Sequence, residues 1–363
     1  SVGKEFVQLL SQYLLAFGNG SSFRCQGFKV AMLFQMLLLQ KPFHAPPSAF
    51  AKCLKRRLEL WRAGAISDLI EECRTIHKQI ESHQRRQDKA CAGHDDTARK
   101  FASLITDGKL RSALAQLEED NGGGVLNLDD RVDGVTVRDI LAAKHPPAEP
   151  AHPDAIVQGV LPPRPHPVRF ESLTGDVVRR VALNTHGAAG PSGVDADTWR
   201  RMCTGFGGAS GELCEAMATC ARRLATTFVD PASLEAYLAC RLIPLDKNPG
   251  VRPIGIGEVL RRILGKAILS MIRDDIQEAA GSLQVCAGHE SGIEAAVHAM
   301  TTVFDDDDTE ALLMADASNA FNRLNREACL HNIQHLCPAM SAIVINTYRH
   351  PANLIVGGEV IRS

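Results

Sequence analysis

The sequence predicts an α+β fold with helices in the majority, on three patterns. Apolar residues recur every third or fourth position between Leu54 and Ile80 and again between Leu213 and Phe228, as helix faces require. Short apolar runs bounded by turn residues, at 241–256 and near the C-terminal end, read as strands joined in hairpins. Between these regions, residues 145–167 hold eight prolines in 23 positions, a density that forbids regular helix or sheet. The expected organisation is a mostly helical region over 1–144, a proline-rich linker over 145–169 and a mixed region over 170–363.

The 363 residues allow one to three domains with full cores. Apolar content of 45% and charged content of 23% are those of an ordinary globular protein. A net charge of −2 excludes a strong overall field, so any nucleic-acid surface has to be local. The longest apolar stretch, Val30 to Leu39, is broken by Gln35 and falls well short of the roughly 20 residues that cross a bilayer, so no membrane partner is expected. Eleven scattered cysteines without a secretory signal read as reduced thiols inside a cell, with nothing to distinguish nucleus from cytoplasm. Ser1 is not a methionine and 359–363 stop in a strand-like pattern, so the chain reads as a piece of something longer at both ends.

Residues 1–50 are apolar but show no clear caps or turns. The stripe Leu54, Leu58, Trp61, Ala65, Leu69, Cys73, Ile76, Ile80 then marks a helix, with Gly64 as the place where it kinks or splits. Lys52, Lys55, Arg56 and Arg57 at its start read as a solvated basic face rather than a phosphate or nuclear-import site. Cys73, His77, Cys91 and His94 carry zinc-binding atoms, yet no tight C-x-x-C knuckle holds them, and no zinc is expected. A helix over Phe101–Glu119, a flexible Asn121-Gly122-Gly123-Gly124 turn and a short segment Gly134–Leu141 follow. A helical protein–protein module at 50–120 is the competing reading of this half. The proline stretch reads as an extended spacer and the clearest domain boundary, rather than as an SH3-type ligand.

Beyond it, Gly190-Pro191-Ser192-Gly193-Val194-Asp195 makes a tight turn ahead of a short helix begun near Asp197. A longer helix runs from Gly211 to Phe228. Residues 241–256 form a hairpin about Asn248-Pro249-Gly250, with Lys247 on one arm and Arg252 on the other. A helix from Glu258 to Ala279 carries Arg261, Arg262, Lys266 and Arg273 on its wet side or edges. From Arg241 to Arg273 seven basic residues face two acidic ones, a local charge of +5. That is the electrostatic footprint of a phosphate-bearing partner.

Leu312-Leu313-Met314-Ala315 reads as a short buried strand ending at Asp316, with Phe321 five residues on. Strand ends are where open α/β sheets place ligand-binding groups. Asp305–Asp308 reads as an exposed loop, because four adjacent carboxylates repel one another. Asp274-Asp275 is expected to end the preceding amphipathic helix. Helices near 327–336 and 338–348, and a hairpin on Gly357-Gly358, complete the pattern.

Taken in order, the Lys247/Arg252 hairpin, Gln284…Gly288…Gly292, and Asp316 followed by Phe321 resemble the fingers and early palm of reverse transcriptases of the non-LTR retroelement and group II intron type. Gly190-Pro191-Ser192-Gly193 looks like the retroelement signature preceding the fingers. Arg261-Arg262 sits where that family often has an acidic–Arg pair, so only one arginine carries over. The resemblance covers roughly 170–363. It implies a right-hand polymerase, fingers plus partial palm, that transfers dNTPs onto a primer along an RNA template through two Mg2+ (or Mn2+) ions. Asp316 would be a catalytic metal ligand, with the Ala317 carbonyl beside it. Lys247 and Arg252 would clamp the triphosphate, and Phe321 would exclude a 2′-hydroxyl. Arg261, Arg262 and Lys266 would meet the template or RNA–DNA hybrid.

The family's later Asp-Asp pair does not follow Asp316 in this sequence, so the chain alone is expected to be inactive. A nucleic-acid-binding remnant of such an element is the alternative. Oligomeric state is not legible.

Overall fold

A computed structural model describes residues 1–20, 27–42, 46–90, 101–106, 110, 114, 124–247, 250–286, 289–306 and 308–363. The fold is mixed α and β with helix predominating. Cys91, His94, the turn 121–123 and most of the expected 101–119 helix lie outside the described residues.

The N-terminal fifty residues, unreadable by pattern, hold two core helices: α1 (Val2–Gly18) and α2 (Gly27–Leu39). Phe6, Leu10, Leu14 and Phe17 line one face of α1 and are buried. The following stripe splits as expected, into α3 (Pro47–Arg62) and α4 (Ile66–Ala90). Gly64, at φ +72°, takes the left-handed conformation that ends α3 and that a side chain would strain.

The solvated basic face expected at 52–57 is only partly so. Arg57 is completely buried and donates to the Leu38 and Gln40 carbonyls (3.0 and 2.6 Å), in and just beyond the last turn of α2. Its other donors reach Glu72 Oε1 on α4 (2.9 and 3.0 Å). One guanidinium therefore ties three helices.

Residues 131–136 form a small hairpin, β1 (Arg131–Val132) and β2 (Val135–Thr136), leading into α5 (Val137–Ala143). Next come α6 (Gly175–Leu183), α7 (Ala196–Thr204), α8 (Gly208–Thr226) and α9 (Pro231–Leu238). The helix α8 is the hub, packing against α1, α6 and α7. Its buried positions alternate small residues (Ala209, Ser210, Ala216, Ala218, Ala221, Ala225) with Leu213, Met217 and Leu224. Small side chains let neighbouring helices approach from several sides.

The boundary expected at 145–169 does not separate two cores. Phe28 from the first region stacks on Tyr237 of the second, with ring centroids 4.7 Å apart, and packs on its other neighbour Phe17 at 3.9 Å. The Cys220 thiol on α8 donates to Leu14 O at 3.1 Å. One apolar cluster runs from Phe6 through Trp199 and Leu264 to Ala339.

Four strands form one sheet in the order β4-β3-β5-β6: β3 (Cys240–Asp246), β4 (Val251–Gly257), β5 (Asn353–Val356) and β6 (Glu359–Arg362). The two expected hairpins are both present, joined by parallel pairing of Cys240 and Arg241 with Leu354 and Ile355. Residues 124–126 extend the pairing along the other end of β3, through Leu126 N–H to Pro244 O and Asp246 N–H to Gly124 O, both 2.9 Å. Leu242, Val251, Leu354 and Val356 point to one side and bury against Val137 and Leu141 of α5.

The expected 258–279 helix is two helices, α10 (Val259–Met271) and α11 (Arg273–Ala280). The break at Ile272 (φ −126°, ψ 21°) puts Asp274 and Asp275 in the first turn of α11 rather than at a helix end. There the helix dipole favours them, and Asp275 pairs with Arg169. Further on are α12 (Gly292–Phe304), α13 (Ala320–Arg323), α14 (Arg326–Leu336) and α15 (Pro338–Tyr348).

The strand expected at 312–315 is not formed. Residues 311–316 run without strand pairing, and Leu313 and Met314 are 93% and 84% exposed. β3 already carries β4 on one side and β5 with 124–126 on the other, and residues 311–316 pair with neither outer strand, β4 or β6. An apolar run becomes a strand only where a partner completes its hydrogen bonds. Nor is the proline stretch a free spacer. Its backbone is hydrogen-bonded to α14 at several points, and the Arg164 guanidinium stacks 4.1 Å over the Phe228 ring.

Candidate functional site

The basic hairpin is the best-defined element among the candidate residues. Register pairs Leu245 with Arg252 and Asp246 with Val251, and Lys247 N–H closes the turn onto Gly250 O at 3.0 Å. Side chains alternate between faces of a strand. Leu242 and Val251 therefore face α5, while Arg241, Ile243, Leu245, Arg252, Ile254 and Ile256 share the opposite face. Lys247 and Arg252 are exposed, and neither is ion-paired among the described residues.

The hairpin's base is locked to the Gly190–Gly193 turn. Glu258, just before α10, is buried, and its carboxylate accepts from Ser192 N–H and from Ser192 Oγ, both at 2.7 Å. Burial pushes the Glu258 carboxyl above its ordinary value, against the opposing effect of the Ser192 hydrogen bonds and the Arg262 charge. A Cβ on Gly190 would lie 2.8 Å from Glu258 N, so the turn can seat against the helix only with glycine there. Asp195 caps α7 by accepting from Thr198 N–H at 2.8 Å. The Gly-Pro-Ser-Gly turn thus serves as a buttress for the hairpin, a role its sequence did not announce. Ser192 and Glu258 are residues that pattern reading missed; the one signal was an acidic residue between two apolar segments.

The α10 cations divide. Arg262 donates to the His186 carbonyl at 2.8 Å and to the Ala188 carbonyl. Arg261 reaches Leu238 O at 3.4 Å and Cys240 Sγ at 3.7 Å. Both arginines expected to meet nucleic acid are therefore committed to main chain of this fold. A guanidinium presents five donors in a planar fork, which suits it to gathering carbonyls. Lys266 stands exposed on the outer face of α10.

Asp316, Ala317 and Phe321 lie in exposed chain. Phe321 is 99% exposed, so it is not a core aromatic. Among the described residues, no hydrogen bond or ion pair joins Asp316 or Phe321 to the hairpin, and no group of three or more His, Cys, Asp or Glu side chains is arranged to hold a metal ion. Asp316 and the Ala317 carbonyl do not by themselves fit a two-metal centre, which needs several hard oxygen ligands around each ion. The turn after Asp316 is anchored by Asn319, in the left-handed conformation at φ 54°, whose Nδ2 donates to Lys144 O at 2.9 Å. Asp305, Asp306 and Asp308 are exposed, as expected of a loop. No helix among the described residues is long and apolar enough to cross a membrane.

Compared with known proteins, the chain matches no family model and no curated sequence.

Proposed function

We propose that this chain is the fingers and first palm segment of an RNA-directed DNA polymerase of a retroelement, contributing the phosphate-binding surface and one metal ligand. The observation that carries the reading is the β3–β4 hairpin. It presents Lys247 and Arg252, exposed and without an ion pair among the described residues, on a base clamped by the buried Ser192–Glu258 bonds. Exposed cations held on a rigid strand pair suit a triphosphate, since arginine grips two oxygens and lysine acts as a point charge. Lys266, on the adjoining helix, extends that charge toward a nucleic-acid backbone read by shape and phosphate. Under this reading Asp316 is one carboxylate of a Mg2+ or Mn2+ site completed by groups that the described residues do not supply. No catalytic step follows for the chain alone.

The solitary position of Asp316 favours the second reading, a nucleic-acid-binding remnant that cannot polymerise. Two measurements test these readings. Affinity for an RNA–DNA hybrid and for dTTP should fall with Lys247→Ala plus Arg252→Ala, and the hybrid's dependence on salt should become shallower. Unchanged affinity would sink both readings. Primer extension on a homopolymer template with dTTP should give no product. Synthesis by this chain would refute the incomplete metal site and exclude the remnant.

A further inference from the structure

The proline-rich segment is bound like a ligand. Ala151 N–H donates to Glu327 Oε2 at 2.9 Å, and Asn325 Nδ2 donates to Glu149 O at 2.9 Å. Val157 N–H donates to Asn332 Oδ1 at 2.9 Å while Asn332 Nδ2 donates to Ala155 O at 2.7 Å. His331 Nε2 lies 2.9 Å from Val157 O, a contact that requires this nitrogen to carry the proton. These contacts share a pattern. Asn325 is the N-cap of α14 and the other three receptor side chains lie within it; Glu327 and His331, four apart, share one face, and Asn325 and Asn332, seven apart, share a second.

On the segment's side, every group bound is main chain, and the residues read are 149, 151, 155 and 157. They form two pairs, each two residues apart: 149 and 151 before the short turn Pro153–Ala155, and 155 and 157 at and beyond its end. Asn332 binds an N–H and a carbonyl two residues apart, as a neighbouring strand would. Pro150 and Pro153 fall where no N–H is required.

We infer that α14 with its N-cap is a receptor for a proline-bearing peptide backbone that runs on either side of one short turn, with residues 149–157 as its resident and exchangeable ligand. Recognition through main-chain groups specifies conformation rather than side chains, so a second peptide able to follow this path, with prolines at the unread positions, fits the same clamp. A tethered ligand acts at an effective concentration of about millimolar, which an incoming peptide has to overcome. The clamp is independent of the polymerase reading.

The probe is a fluorescently labelled peptide spanning Glu149–Gln158, measured by anisotropy. The receptor is the full chain with 149–157 replaced by a glycine–serine sequence of equal length. Saturable one-to-one binding is expected, at least tenfold weaker to the unaltered chain. It should also be at least tenfold weaker when Asn332→Ala is added, and lost when the peptide's Val157 nitrogen is methylated. Absence of binding to the folded replacement chain, or indifference to Asn332→Ala or to methylation, overturns the inference. Should the replacement chain not fold, hydrogen exchange decides. In the otherwise unaltered chain, Asn332→Ala should speed exchange at the Val157 amide at least tenfold while α8 amides keep their rates. An unchanged Val157 rate overturns the clamp equally.

Discussion

The helical core around α8 and the segment 282–324 are built on opposite terms. In the core, Phe17, Phe28, Trp199 and Leu213 are buried on every side, and most polar groups among them find partners. In the segment, Leu283, Leu313, Met314 and Phe321 are all more than 80% exposed, and α12 buries only Gly292. The two regions are similarly apolar in sequence; they differ in whether neighbours surround them. The fold is therefore carried by the core, while the residues with the most chemical promise, Asp316 and Phe321, hang from it by a few polar ties such as Asn319 to Lys144.

The sharpest way to break this contrast is to remove one large ring from each region. Phe28→Ala deletes the side chain wedged between Phe17 and Tyr237 and should cost about 3–5 kcal/mol, the range for emptying a large aromatic site in a core. Phe321→Ala removes a ring that touches little and should stay within about 0.5 kcal/mol. Urea unfolding of both variants measures this. A comparable loss for Phe321→Ala would mean that the segment packs in solution as the core does.

A smaller loss is expected where three helices meet at one charge. Arg57→Ala strands the Leu38 and Gln40 carbonyls and leaves Glu72 with only Arg56 and the weak Cys53 thiol donor among the described residues, at a cost of about 2–3 kcal/mol. Arg57→Lys should recover little, because an ammonium cannot span two carbonyls and a carboxylate in the fork's geometry. Full recovery by lysine in a thermal melt would show that charge alone holds the junction.

The two carboxylates at these junctions should respond to pH in opposite senses. Burial pushes the Glu72 carboxyl up, but hydrogen bonds from Arg56 and Arg57 outweigh it and hold it below 4.5, the ordinary value. That contribution is present above the unfolded pKa and is lost as pH falls through the folded one. Glu258 is raised above 4.5, chiefly by burial. Its contribution is complete below 4.5 and fades as pH rises through the folded value. Unfolding free energy followed across this range should lose its high-pH decline in Glu258→Gln and its low-pH decline in Glu72→Gln. Parallel curves for wild type and Glu258→Gln would contradict the burial of that carboxylate.

What sequence reading reached and what it missed divide by the same physics. Periodic helices and the two hairpins were legible because their signals are local: the 3.6-residue stripe from Leu54 to Ile80, turn residues at 248–250 and 357–358, and Gly64 as a stop. The pairing of Phe28 with Tyr237 was not, since it joins residues more than two hundred positions apart. The strand at 312–315 failed because strand formation depends on a partner that apolar content cannot supply. The proline stretch was read through what proline lacks, an N–H, whereas its seat on α14 uses the N–H and carbonyl groups that the prolines leave between them. Arg261 and Arg262 looked like phosphate ligands because charge is visible in a sequence and carbonyl partners are not.

That last ambiguity gives the finest test of the contrast between structural and free groups, on two cations four residues apart along α10. Arg262→Ala removes the bonds to the His186 and Ala188 carbonyls and should lower stability by about 1–2 kcal/mol. Any change in hybrid binding would then follow from the loosened 186–193 loop. Lys266→Ala removes an exposed charge and should leave the unfolding midpoint where it is. Its effect should appear only in the salt dependence of RNA–DNA hybrid binding, whose logarithmic slope should fall by roughly 0.9, the increment for one lost phosphate contact. If Lys266→Ala leaves that slope untouched while Arg262→Ala reduces it without loss of stability, the assignment is reversed: Arg262 would be the phosphate ligand and Lys266 the bystander.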